Sequence, residues 1–307
     1  MNDKANGKRE GARQAWLRTA LTGNALFSAA TGLLLLAVPH LLAEWLGISA
    51  GAWLRLLGLG LIGFALELGY QVTRRRLRPW RALLASAADG IWVLASLVLL
   101  LAFPQVLSEP GRLVVAGVAG IVAVMGACQM AGLVHLFREG PRRWRYCVAA
   151  NTPQSAETLW QQVGDLGNIA TYAPFLKNSA LADPSDKGPV GAVRTCRDYA
   201  GHTWSEACTD FQPGKQYTVR FLTEAPDFPF PVKSMVGGWR LISQDKACRV
   251  EVWWVFEPSN ALLAPLVLPF MAARVDRDIL ATIRLMAEAS PDADHRPRRR
   301  SLVPLPC

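Results

Sequence analysis

Apolar residues crowd the first 137 positions into four long runs, 19–38, 52–72, 82–103 and 113–137. Each run is long enough to cross a bilayer as one helix of roughly 20 residues. After Gly140-Pro141 the runs stop, and apolar positions alternate with polar ones in short stretches. A period of two predicts half-buried strands. The chain therefore reads as four membrane helices over 19–138 followed by a water-soluble domain over 142–290. A basic segment, 1–18, precedes them, and a basic tail, 291–307, reads as disordered.

In the second part, strands are predicted at 142–151, 180–182, 192–199, 202–211, 216–224, 232–243 and 247–257. Turn residues such as Asp183-Pro184, Gly201 and Pro213-Gly214 separate them. Ser155 can cap a short helix that places Leu159, Trp160 and Val163 on one side, and a second short helix is predicted at 168–175. Met271, Val275, Ile279, Ile283 and Met286 recur at helical spacing and predict a long closing helix ending at Ala289.

Charge sharpens the division. Through Arg145 there are 16 Lys and Arg against 7 Asp and Glu; the rest holds 17 of each, so the net +9 belongs to the first part. The basic residues cluster at Lys4–Arg18, Arg74–Arg81 and Arg138–Arg145, while the loops at 39–51 and 104–112 have almost none. By the positive-inside rule both termini and the soluble domain are cytoplasmic, and for a bacterial chain the membrane is the inner one. A neutral soluble half argues against nucleic acid as a partner. The first run is too long for a cleavable signal peptide, and three more runs follow it.

Three ionisable residues fall inside the runs: Glu67, Asp89 and His135. Such groups mark functional sites by default. Here their similar depth and the nearby Arg74–Arg81 cluster favour structural pairing over transport. Gly58, Gly60, Gly63, Gly117 and Gly120 offer small faces for close helix packing. The six cysteines and four histidines show no metal-ligand spacing, and no cofactor motif is present. Cys147, Cys196, Cys208 and Cys248 fall in predicted strands and read as buried thiols in a reducing compartment. Cys307 ends the chain and is no prenylation box.

The order of elements, one strand, two short helices, six strands and a long helix, resembles the START-like superfamily of polyketide cyclases and lipid-transfer domains. The resembling residues are Asn151-Thr152-Pro153, Leu159-Trp160 with Val163 and Asp165, Tyr172 with Pro174, Gly191 with Val193-Arg194, Gly238-Trp239 with Leu241, and Val252 with Trp254. The resemblance covers 142–290 and implies a helix-grip fold: a bent antiparallel sheet of about seven strands around the long C-terminal helix, enclosing an apolar cavity. Its implied lining is Phe175, Tyr199, Phe221, Trp239 and Trp254, with two proline-stiffened apolar segments at the mouth. These are 225–232, carrying Phe228 and Phe230, and 261–270, carrying Leu266 and Phe270. They either insert into a lipid interface or close on one another as a lid.

Trp253 and Trp254 must face opposite sides of their strand, so one points away from the helix. Glu206 and His202 are the polar candidates for catalysis, though a lone carboxylate and a lone His on strands are more often surface groups. The resulting expectation is a membrane-anchored domain that binds or transfers a hydrophobic small molecule or lipid, rather than an enzyme. A polyketide cyclase/dehydratase-like enzyme and a ligand sensor coupled to the helices are the alternatives.

Overall fold

The computed structural model describes residues 3–49, 51–182, 188–244 and 247–289, together with 302, 304, 305 and 307. It contains two compact units that divide between Leu136 and Phe137.

The helical unit holds α1 (Asp3–Ala37), α2 (Pro39–Leu46), α3 (Gly51–Thr73), α4 (Pro79–Ala102) and α5 (Glu109–Phe137). Four segments are long and apolar enough to cross a membrane: Arg13–Ala37, Gly51–Thr73, Pro79–Ala102 and Glu109–Phe137. Proline punctuates them. A residue before proline disfavours helix, so α1 stops ahead of Pro39 and α4 ahead of Phe103-Pro104. Pro39 and Pro79 then open the next helices, where a missing N–H costs nothing. The 1–18 segment is not separate from the first span, because α1 runs on from Asp3 without a break. The loop predicted at 39–51 contains α2, which ends at Gly47 in the left-handed region, φ 76°.

Leu17, Leu21, Leu68, Leu83 and Leu133 form the packed centre of this unit. Leu26, Leu33, Leu59, Leu66, Ile91, Leu94, Leu101 and Leu113 stay exposed on the outside, as lipid-facing side chains would. Arg18 closes the end of α3 by donating to the carbonyls of Val72 (2.5 Å), Arg74 (2.6 Å) and Arg75 (2.9 Å), which lack helical partners. Of the five glycines expected at close contacts, only Gly58 makes one; a Cβ there would meet Gly32 O at 2.9 Å. Gly60, Gly63, Gly117 and Gly120 have nothing within 4 Å, because they face outward.

The second unit is one seven-stranded antiparallel sheet in the order β1-β7-β6-β5-β4-β3-β2. Its strands are β1 (Trp144–Thr152), β2 (Leu176–Leu181), β3 (Val193–Asp198), β4 (Thr203–Gln212), β5 (Gln216–Phe221), β6 (Val232–Gln244) and β7 (Ala247–Pro258). Between β1 and β2 lie α6 (Ala156–Val163), capped by Ser155 Oγ accepting from Thr158 N at 3.1 Å, and a 3-10 turn, Leu166–Thr171. Register shifts at Leu176/Asn178, Cys208/Asp210 and Val232/Ser234 bend the sheet.

The closing helix α7 (Ala264–Glu288) buries Ile279, Ile283 and Met286 against the inner face. Tyr146 ties β1 to α7, its hydroxyl donating to Asp276 Oδ1 at 2.6 Å. α7 begins earlier than its periodicity predicted. The segment at 261–270 is therefore mostly helix and not loop, since Pro265 sits in the first turn, where proline is tolerated.

The outer face of the sheet carries a correction. Cys147 faces outward opposite Trp253, and it is disulfide-bonded to Cys307. It is not a free buried thiol. Leu305 N donates to Ala149 O at 2.8 Å, so the end of the tail pairs with the edge strand β1 and covers Ala149 and Trp253. The reading of 291–307 as disordered does not hold for these last residues; 290–301 lie outside the described residues. The outward tryptophan, Trp253, is thus covered by the chain itself.

Candidate functional site

Alternation sends Val148, Cys196, Trp204, Cys208, Tyr217, Val219, Phe221, Trp239, Leu241, Val250 and Val252 to the inner face, against α6 and α7. Two charged residues share that face. Arg194 on β3 and Glu206 on β4 are direct cross-strand partners, each only 5% exposed. Arg194 Nη2 donates to Glu206 Oε2, and Trp204 Nε1 donates to Glu206 Oε1 at 2.8 Å. Arg194 Nη1 donates to Leu166 O at 3.0 Å, tying the pair to the 3-10 turn. Among the described residues Arg194 Nε has no acceptor, although it is fully buried.

Arg194 stays charged. Burial works against the Arg194 guanidinium, but the adjacent Glu206 carboxylate more than reverses that, and the group is held above its ordinary range. Burial pushes the Tyr217 phenol up to about 12 and the Cys196 thiol up to about 12. Both stay neutral at physiological pH beside the ion pair.

The sequence-predicted lining is only partly gathered here. Phe221 and Trp239 are buried in the inner core, and Phe175, Trp254, Phe228 and Phe230 pack against it. The segment 225–232 folds inward: Phe230 stands edge-on to Trp204 at 5.2 Å, and Phe228 to Phe230 at 5.4 Å. Leu266 and Phe270 are about half exposed on α7, with Leu262 and Leu263 also exposed beside them. Tyr199 does not join the lining, because it sits in the β3–β4 turn with 72% of its surface exposed.

His202 and Glu206 do not form a pair. His202 is exposed and bonds Asp198 through Nδ1 at 2.9 Å, and this side-chain bond holds the Asp198 carboxyl below its ordinary range. Glu206 has both oxygens engaged elsewhere. Sequence reasoning missed Arg194 and Tyr217 as site residues. The signal was available: Arg194 and Glu206 stand equally far from Ala200, the centre of the turn, so the hairpin sets them opposite one another on one face.

A bent antiparallel sheet gripping a long C-terminal helix, with polar groups buried on the inner face, is a helix-grip fold. Residues 148–290 match the family described as polyketide cyclase / dehydrase and lipid transport. Among solved structures, the chain is similar to an uncharacterized protein from Bacillus thuringiensis, with 18% identity and TM-score 0.39 over 46% of this chain and 98% of that one. It is similar to the protein XoxI from Bacillus cereus, with 19% identity and TM-score 0.39 over 49% of this chain and 98% of that one. It also resembles the Zhui aromatase/cyclase from a Streptomyces species, with 16% identity and TM-score 0.38 over 47% and 92%. A comparison with curated proteins gives no match.

Proposed function

We propose that the helix-grip unit binds a hydrophobic molecule bearing one acceptor or anionic group, and that the helical unit anchors it at a membrane. The observation that carries this reading is Arg194 Nε, a buried charged donor without an acceptor inside an otherwise aromatic and aliphatic interior. A donor of that kind costs free energy unless something accepts from it. A ligand oxygen would supply the acceptor while its apolar body packs on Phe221, Trp239 and Trp254. The bilayer is both partner and reservoir, since tethering raises the local concentration of a ligand scarce in water.

An enzyme of the cyclase/dehydratase kind is supported by the family match alone. It would need a free acid or base facing the ligand, and both oxygens of Glu206 are committed to Arg194 and Trp204.

The test is extraction of the purified full chain followed by mass spectrometry, and uptake of lipid from vesicles. One hydrophobic acid, ester or ketone per chain is the expected result, and Arg194→Lys weakens its retention by about tenfold or more, the usual worth of a charged hydrogen bond. A chain that yields no bound molecule and takes up none from vesicles would sink the proposal.

We place the soluble unit in the bacterial cytoplasm on the strength of the basic clusters beside the spans. Disulfides belong mainly to oxidising compartments, so the Cys147–Cys307 bond makes that placement testable. In acid-quenched, denatured cells all six cysteines should take up maleimide, whereas the protein after aerobic purification exposes only the four free thiols, Cys128, Cys196, Cys208 and Cys248. Only four labelled in quenched cells would overturn the cytoplasmic placement.

A further inference from the structure

The helical unit encloses a second buried polar cluster that the function above does not use. Asp89 on α4 is 5% exposed, and no cation pairs with it among the described residues. Glu67, by contrast, is paired to Arg81 at 3.0 Å, and His135 is exposed. Asn24 on α1 and Gln129 on α5 both donate their amide nitrogens to Asp89 Oδ2, each at 2.8 Å. Ser28, one turn along from Asn24, donates to Asn24 Oδ1 at 3.1 Å. Gln129 is 0% exposed, yet its Oε1 has no hydrogen-bond partner.

A carboxylate with no cation partner among the described residues and an orphaned carbonyl oxygen therefore belong to one hydrogen-bonded cluster. We infer that α1, α4 and α5 together form a binding site for a dehydrated monovalent metal cation of the sodium type. Asp89, Gln129 Oε1 and the Asn24 and Ser28 oxygens are its ligand set. Hard alkali cations take oxygen ligands, and neutral amide and hydroxyl oxygens serve alongside a carboxylate. One carboxylate neutralises one positive charge, whereas a divalent ion would leave an unmatched charge in an apolar interior. A bare proton would neutralise Asp89 but would leave Gln129 Oε1, as the amide now stands, without a partner.

The experiment uses the full chain purified in detergent. Its thermal midpoint is followed in sodium chloride, potassium chloride and choline chloride at one ionic strength. Sodium should raise Tm in a saturable way that choline does not reproduce, as binding to the folded state requires. Asp89→Asn, which keeps the shape and removes the charge, abolishes the shift. Gln129→Leu weakens apparent affinity by about tenfold or more, as loss of a ligand-orienting group does. Glu67→Gln, outside the cluster, keeps the full response. Should Asp89→Asn fail to fold, equilibrium binding of radiolabelled sodium to the wild-type chain, at one ion per chain and competed by unlabelled sodium, reads the same site. A Tm that ignores the cation, an equal shift in Asp89→Asn, or stabilisation that follows pH with no cation effect would each overturn the assignment.

Discussion

Glu206→Ala should destabilise the helix-grip unit by about 3–5 kcal/mol, the usual cost of stranding one member of a buried ion pair. The deletion leaves the Arg194 guanidinium 5% exposed with Leu166 O as its remaining hydrogen-bond acceptor. It also removes the acceptor of Trp204 Nε1. Guanidinium unfolding of the full chain, followed by tryptophan fluorescence, reads the loss. The informative control is Arg194→Met combined with Glu206→Leu. Replacing both charges by apolar side chains of similar size is often neutral or stabilising. The double variant should therefore recover most of the stability while losing ligand retention. Such a result separates the two roles: the pair is a cost to the fold and a gain to binding. Equal loss in the single and double variants would show that the pair is structural.

The second large effect belongs to Gly238. Register sets Gly237 opposite Trp254 and Gly238 opposite Trp253, so the two largest side chains of β7 meet the two smallest residues of β6. A Cβ on Gly238 would lie 2.5 Å from Tyr217 O on β5 and 3.0 Å from Trp253 Cζ2. The tryptophan ring could move, but the carbonyl belongs to the neighbouring strand. Gly238→Val should thus cost more than about 2 kcal/mol, in the upper range of overpacking, and loosen the β5–β6 pairing. Thermal unfolding of the full chain and amide exchange at Thr218 and Val219 would measure both. Trimming the ring with Trp253→Ala should not rescue it, because the obstacle is backbone. Rescue by that second change would place the strain on the ring instead.

Much of this molecule was readable from one dimension. The four long apolar helices announce themselves as unbroken apolar runs, and the later strands and α7 through the period of their apolar positions, a local property. Boundaries moved where proline acts in two ways: Pro104 ended a helix, while Pro265 sat inside the first turn of α7 and lengthened it. Burial on the inner face was legible where alternation applies, as at Phe221 and Trp239, and does not extend to Tyr199, which lies in a turn where alternation no longer holds. Glu206 was singled out as a lone carboxylate of the kind more often found at the surface, and it is buried. Its partners came from the register of the β3–β4 hairpin, not from the nearby His202.

By itself the sequence determined the two-part plan, the charge asymmetry and the helix-grip order of elements, because burying apolar surface enforces a period on every segment. The meetings of distant residues were decided only in three dimensions. Asp89 with Asn24 and Gln129 depends on how three helices are rotated about their axes. Cys147 with Cys307 depends on a tail reaching the edge of β1 across 160 residues. Local periodicity says which face of an element is buried, but the partner across that face is chosen by packing.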